Sequence, residues 1–389
     1  MQRLGSMIRQ LARYRHQWDG LMKAAATSAA SLEPSSGVLS RLTEVQNFGT
    51  NPGNLRMFTY APPELAPSPA LVVVLHGCTQ NAAGYDHGSG WSVLAEHYGF
   101  VVLLPEQQEA NNPKRCFNWF QPGDTEREQG EVASIRQMVE RAVHDHGVDR
   151  DRIFVTGLSA GGAMTAAMLA TYPEVFAGGA IIAGLPYRCA ASVPEAFECM
   201  FQGQTRPAEE WGDLVRHASP HQGPWPKVSV WHGSADATVK PVNADEIIKQ
   251  WTDVHSLSVS PSRNETVDGY PRRVWTNAAG EDVIEEYIIG GMAHGTPIAT
   301  GTAENQYGVA GPFLLEAGIS SSYHIAKFWG LTTHAVAKRQ PLPAQESGAR
   351  QRTPELAKGA PEHDKPAPSP VSDVTGVITK ALKAAGLMR

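Results

Sequence analysis

Ser159 is the residue whose surroundings most clearly invite chemistry. It sits in Gly157-Leu158-Ser159-Ala160-Gly161, after the β-rich stretch Arg152-Ile153-Phe154-Val155-Thr156 and before a run of Ala, Met and Leu that Pro173 stops. Strand, Gly-x-Ser-x-Gly and helix in that order form a sharp turn that presents a nucleophilic serine, with small residues needed two positions to either side. A serine hydroxyl is a weak nucleophile until a base takes its proton and a carboxylate orients that base. Two later loops carry those residue types. Asp236 ends Trp231-His232-Gly233-Ser234-Ala235-Asp236, a Gly/Ser-rich turn after an apolar run. His294 lies in Gly290-Gly291-Met292-Ala293-His294-Gly295, after the last apolar run, where small neighbours let an imidazole reach the turn. Position singles it out from the 14 histidines of the chain. Asp245 and Asp253 read as exposed helix residues, and Asp213 precedes a strand. An oxyanion needs two N–H donors. Ala160 supplies one at a helix start, and Cys78, in His76-Gly77-Cys78 after an early apolar run, supplies the other by position. The chemistry implied is acyl transfer. A thiol mechanism is disfavoured, because no cysteine occupies such a turn.

The elements that must hold these residues are legible as short apolar runs. Leu71-Val72-Val73-Val74-Leu75 and Phe100-Val101-Val102-Leu103-Leu104-Pro105 are continuous, the mark of strands covered on both faces. Leu55-Arg56-Met57-Phe58-Thr59-Tyr60, Ala180-Ile181-Ile182-Ala183 and Val228-Ser229-Val230-Trp231 add further strands. Arg273-Val274-Trp275 and residues 283–289 read as a late hairpin. Residues 91–98, 131–146 and 323–329 have helical periodicity. Strands alternating with helices predict a parallel, doubly wound α/β sheet. In the α/β-hydrolase version of that sheet the order along the chain is serine, acid, histidine, as it is here. Phe117-Asn118-Trp119-Phe120 follows the second buried strand, on the side where sites form. Phe117, Trp119 and Phe120 either line a substrate groove or pack the loop onto the core, with Trp119 the first candidate for substrate contact.

The chain has 389 residues, 42% of them apolar, and a net charge of −6. Nothing in that balance calls for a nucleic-acid partner, and no apolar run approaches a membrane span. The four cysteines, Cys78, Cys116, Cys189 and Cys199, form no paired metal-ligand pattern. They are either reduced or paired, and chain position then predicts 78–116 and 189–199. No metal and no cofactor are expected. Residues 1–25 pattern as a basic amphipathic helix, open to packing on the domain, lying on an apolar surface or acting as a targeting segment. Residues 26–40 read as an Ala/Ser linker. Seven prolines between residues 341 and 370 predict a disordered tether. Val374, Val377, Ile378, Ala381, Leu382 and Ala385 follow with helical spacing. The expected layout is residues 1–48 helix and linker, 49–332 catalytic domain, 333–372 linker and 373–389 terminal helix, which either docks back or binds a surface.

Taken together, His76-Gly77-Cys78-Thr79-Gln80-Asn81, Cys116-Phe117-Asn118-Trp119-Phe120, Gly157 to Gly162, His232-Gly233-Ser234-Ala235-Asp236 and Gly291-Met292-Ala293-His294 resemble the polyhydroxybutyrate depolymerase family of esterases, across residues 50–330. That family also includes feruloyl and acetylxylan esterases. The resemblance implies serine esterase chemistry, with Ser159, Asp236 and His294 as triad and Cys78 in the oxyanion loop. The expected substrate is a short-chain hydroxyalkanoate polyester or its oligomers. The alternatives are a feruloyl or acetylxylan ester and a non-catalytic protein of the same fold that binds polymer granules. Secreted polymer-degrading members carry a signal peptide and a polymer-binding domain. Neither is read here, so the expected location is the cytoplasm, with association to granules, and secretion by another route is the alternative.

Overall fold

A strand buried on both faces needs helices above and below it, and the continuous apolar runs meet that condition in one large sheet. The computed structural model describes residues 41–336 together with Gly20, all within one compact unit. Ten described strands form the sheet: β1 (Thr43–Val45), β2 (Arg56–Tyr60), β3 (Leu71–Leu75), β4 (Val101–Glu106), β5 (Ile153–Leu158), β6 (Gly178–Ile182), β7 (Lys227–Gly233), β8 (Arg263–Val267), β9 (Tyr270–Thr276) and β10 (Asp282–Ile289). Their order is β1-β2-β4-β3-β5-β6-β7-β10-β9-β8. The run from β4 to β10 is parallel, and the outer pairs at both edges are antiparallel. A separate parallel pair joins β11 (Thr296–Ile298) to β12 (Leu314–Glu316). The helices are α1 (Ala82–Ser89), α2 (Trp91–Tyr98), α3 (Pro122–Thr125), α4 (Gly130–His146), α5 (Ala160–Thr171), α6 (Val193–Gln202), α7 (Ala208–Arg216), α8 (Val242–Val254) and α9 (Ser321–Phe328). This is the doubly wound α/β-hydrolase arrangement expected from the sequence.

The pleat divides the apolar residues between two cores. Leu71, Val73 and Leu75 of β3 pack with Ile135 and Met138 of α4 and Met164 of α5. Val72 and Val74 point the other way, to Trp91 and Leu94 of α2 and Ile325 of α9. Burying each such side chain contributes about 1.5–3 kcal/mol. The chain leaves β3 through α1 and α2 to β4 on one side, then crosses by α4 to β5 on the other. The strand order therefore reverses at β3, and the crevice beyond its carboxyl end is where ligands bind in such sheets. His76 and Ser159 both emerge there.

Several elements escaped the sequence reading. β6 begins two residues before the apolar run, at Gly178-Gly179. A Cβ on Gly179 would lie 2.5 Å from Leu169 Cδ1, so glycine is what lets α5 sit close on the sheet. Asp213 does not simply precede a strand; it lies on α7. Asp245 is exposed, as expected, but Asp253 is half-buried and accepts from Arg216 Nη2 at 2.6 Å. The expected segments 1–25, 26–40, 341–370 and 373–389 lie outside the described residues.

Candidate active site

The turn between β5 and α5 explains its own composition. Ser159 holds φ 57° and ψ −116°, a positive φ that non-glycine residues seldom adopt. Its N–H donates to the Ile182 carbonyl at 2.9 Å, which ties the turn to the end of β6. A Cβ on Gly157 would fall 2.4 Å from the carbonyl of Gly161, and one on Gly161 would fall 2.3 Å from the Leu75 oxygen. Only glycine fits at either place.

The structure brings Ser159, His294 and Asp236 into one hydrogen-bonded row, from residues 135 and 58 positions apart. His294 Nε2 lies 2.9 Å from Ser159 Oγ. His294 Nδ1 lies 2.7 Å from Asp236 Oδ2. A carboxylate only accepts, so Nδ1 carries the proton and Nε2 is left to accept from the serine. Asp236 Oδ1 accepts from the N–H groups of Thr238 (2.8 Å) and Val239 (2.9 Å). Burial pushes the Asp236 carboxyl up, but His294 and His232 beside it outweigh that and hold it well below the usual carboxylate range. The loops bearing Asp236 and His294 are stitched together. Ser234 N–H donates to Ile289 O and Ala235 N–H to Met292 O, each at 3.0 Å. Gly291 N–H donates to Ser234 Oγ at 2.8 Å. A Cβ on Gly233 would lie 2.3 Å from Met292 O, so the turns meet at backbone distance.

Sequence reasoning missed the second partner of Asp236. His232, wholly buried at the end of β7, places Nε2 at 2.8 Å from Val239 O and 3.4 Å from Asp236 Oδ2. Both neighbours are acceptors, so this nitrogen is protonated. Its place four residues before Asp236 was the available signal.

On the other side stands the loop after β3. His76 donates from Nδ1 to Gly77 O at 2.8 Å and accepts from Gln107 N–H at Nε2 at 3.1 Å. Burial pushes its imidazole down to about 4, so it is a neutral spacer. Gly77 N–H donates to Gln80 Oε1 (2.8 Å) and Thr79 N–H to Lys114 O (2.6 Å). Among the described residues, the Cys78 N–H between them donates to no protein acceptor. Cys78 is bridged to Cys116, the expected pair. The second expected pair is not formed. Cys189 and Cys199 are buried free thiols that lie beside each other, and Cys199 Sγ also donates to the Cys189 carbonyl at 2.8 Å.

The aromatic loop needs one correction. Phe117 is fully buried and packs on the His76 ring, centroids 5.0 Å apart, so it cannot line a groove. Trp119 is 8% exposed and meets the half-buried Phe120 edge-on at 5.5 Å. The same loop is held by the buried Glu131, another residue the sequence reading passed over. Its carboxyl accepts from Gln107 Nε2 and from Asn118 N–H, the latter at 2.8 Å. Burial first, and the nearby Asp124 second, push its pKa well up. Beyond His294, the unread loop 299–313 returns to bring Phe313 edge-on to the imidazole, centroids 6.0 Å apart. No helix among the described residues is long and apolar enough to cross a membrane.

With the geometry in place, comparison with known proteins is informative. The chain is 50% identical over 301 residues, covering 77% of it and 72% of the relative, to poly(3-hydroxyalkanoate) depolymerase C of Paucimonas lemoignei. It is 36% identical over 264 residues to an acetylxylan esterase of Coprinopsis cinerea, covering 66% of this chain and 70% of the relative. It is 35% identical over 276 residues to feruloyl esterase B of Neurospora crassa, covering 69% and 92%. The structure is similar to that of an acetyl xylan esterase from Aspergillus awamori, with a TM-score of 0.63 and 26% identity over 75% of this chain and 99% of that one. Residues 55–262 match the family described as Esterase PHB depolymerase. The chain belongs to that family and is a carboxylic ester hydrolase of the α/β-hydrolase superfamily.

Proposed function

We propose that this enzyme cleaves short-chain polyhydroxyalkanoate, or its oligomers, through an acyl-enzyme on Ser159. The observation that carries the mechanism is the unbroken row Ser159 Oγ, His294 Nε2, His294 Nδ1, Asp236 Oδ2, with steps of 2.9 and 2.7 Å. Ser159 Oγ attacks the ester carbonyl while His294 Nε2 takes its proton. The oxyanion is met by the N–H groups of Cys78 and Ala160, the second of which has no intrahelical acceptor at the first position of α5. His294 then delivers the proton to the departing alkoxide, and water repeats the sequence on the acyl-enzyme. Asp236 keeps the imidazole in the required tautomer and stabilises its charged form.

The polyester assignment is supported by the 50% identity to a poly(3-hydroxyalkanoate) depolymerase. Of the three aromatics, Phe120 is the one left half-buried and open to an uncharged chain of repeated carbonyls, whereas Trp119 is buried with the core. A second reading, hydrolysis of acetylated or feruloylated glycans, is favoured by the relatives at 36% and 35% identity. The Cys78–Cys116 bridge supports the view that the protein matures in an oxidising compartment, in favour of export over the cytoplasm. Contact with polymer granules is assigned to the terminal segments, outside the described residues.

The test sets wild type and Ser159→Ala side by side on hydroxybutyrate trimer, polymer granules, acetylxylan and a feruloyl ester. Wild type should cut the trimer fastest, and the variant should lose on the order of a millionfold in kcat. Faster release of acetate or ferulate would overturn the polyester assignment. Activity retained by Ser159→Ala would overturn the mechanism.

A further inference from the structure

We infer that Phe313 is a specificity-determining residue that selects the alcohol half of the ester, favouring an apolar leaving group. The inference rests on the acyl-enzyme mechanism proposed above and names a subsite of that same centre.

The first observation is backbone conformation. Phe313 has φ +61°. For a bulky residue this left-handed region is an outlier, retained only where the surroundings impose it. Those surroundings are built. The Phe313 carbonyl accepts from Thr296 N–H at 2.7 Å. The preceding carbonyl, of Pro312, accepts from Gln80 Nε2 at 3.3 Å, and Gln80 Oε1 in turn holds Gly77 N–H at 2.8 Å. A Cβ on Gly295 would come within 2.8 Å of the Phe313 oxygen, so the residue after His294 leaves room for this carbonyl. Two parts of the chain, residues 77–80 and 295–296, hold one strained phenylalanine in place.

The second observation is where the ring goes. It stands edge-on to the His294 imidazole, centroids 6.0 Å apart and planes at 78°, and remains half-buried. It does not vanish into the core as Phe117 does. Mechanism then gives the position meaning. In acylation the Ser159 Oγ–carbonyl bond forms, the carbonyl–OR bond breaks, and the proton taken from Ser159 passes by His294 Nε2 to the oxygen of RO. The alkoxide must therefore depart beside His294, and a side chain packed on that ring faces R and not the acyl chain. The face offered is aromatic. It suits an alkyl or aryl alcohol, or the next hydroxyacyl unit of a polyester, better than a sugar hydroxyl.

The test compares wild type, Phe313→Leu and Phe313→Gly on a matrix of esters. One axis fixes the acyl group as acetyl and varies the alcohol between an apolar phenol and glycerol. The other fixes the phenol and varies the acyl group between acetyl and butyryl. Glycine accepts a positive φ without strain, which offsets part of the loss of the packing that Phe313 gives the core, so Phe313→Gly should remain folded at the assay temperature, and its melting curve is recorded alongside. The expected result is a fall in kcat/KM of about tenfold or more for the apolar alcohol, as for loss of one apolar contact. Glycerol ester hydrolysis should change less than threefold, the acetyl-to-butyryl ratio should stay constant, and Phe313→Leu should lie between. An equal loss on every ester, a shift confined to the acyl axis, or no change would overturn the inference. Wild type inactive on all the esters would instead overturn the proposed mechanism.

Discussion

Replacing Cys78 and Cys116 together by serine separates two roles that one bridge performs. The first is thermodynamic. The bridged residues are 38 positions apart. A cross-link of that span removes about 2.1 + 1.5R ln 38, or roughly 13 cal/mol/K, from the unfolded chain, about 4 kcal/mol at 25 °C. The second role is geometric. The bridge joins the loop that carries the Cys78 N–H to residues 107–120, which Glu131 anchors through Gln107 and Asn118. Two ties survive its loss, Gly77 N–H to Gln80 and Thr79 N–H to Lys114. The donor is thus loosened and not removed. Removing an oxyanion donor outright costs about 10²–10³ in kcat, so loosening it should cost about 10-fold, with KM little altered. Urea unfolding would read the stability, and a soluble aryl ester assayed well below the transition would read kcat. A stability loss under about 1 kcal/mol would refute the entropic argument. A large stability loss with unchanged kcat would refute the placement of the Cys78 N–H at the developing oxyanion.

Other expectations follow from single contacts. His232→Leu removes the ring N–H that faces Asp236 Oδ2 beside His294 and should lower kcat by about 10-fold, as for a lost hydrogen bond to a charged group, whereas His232→Gln, which restores a donor at similar reach, should recover part of it; equal kcat in both variants would show that His232 only fills space. Asp86 is buried and accepts from Ser92 N–H at 2.8 Å, and burial raises its carboxyl to about 6. The unfolded carboxyl titrates near 3.9, so the folded state binds the extra proton, and this contribution to stability is complete below about pH 4 and is lost as pH rises through 6. Asp86→Asn should therefore gain on wild type between pH 4 and 6 in urea titrations, and a constant difference across that range would refute the assignment. Deleting residues 340–389 should lower activity on insoluble polymer far more than on a soluble ester, since a tethered surface-binding segment raises effective concentration; an equal effect on both would refute that role.

The site was legible where chemistry and sterics act over a few residues. Gly157 and Gly161 could be nothing else, and the turn announced itself. Asp236 and His294 were legible because each follows the end of an apolar strand. The Cys78–Cys116 pair followed from the same reasoning, since both residues sit in loops after strands that prove to be neighbours. What stayed hidden depended on contacts distant in sequence. Glu131 looked like one more charge on an amphipathic helix, and only the fold shows it buried and accepting from Gln107 and Asn118. Phe117 looked like a groove residue until the His76 ring was found against it. Phe313 lies in a loop with no periodicity, and its conformation is imposed by Thr296 and Gln80. Cys189 and Cys199 are close in sequence, but in the fold they stay unbridged, with Cys199, on the second half of α6, donating its thiol to the Cys189 carbonyl. In the fold, α6 and α7 escaped because their apolar faces are short, and the start of β6 was read two residues late because its two glycines carry no β-propensity.

The stitching of the Asp236 and His294 turns divides the catalytic centre mechanically. The proposed acid and base share one hydrogen-bonded body at the ends of β7 and β10, whereas the serine belongs to β5, two strands from β7 and three from β10. Stretching the Asp236–His294 bond by movement of the sheet would strain two backbone hydrogen bonds and the Gly291–Ser234 Oγ bond, whereas no such stitching ties His294 to Ser159. The tautomer of the imidazole is thus insulated from motions that open the site to a bulky substrate. The long excursion through α8, β8 and β9 can vary in length without touching the acid–base pair. A fold partitioned in this way can change what it admits while leaving its proton chemistry alone.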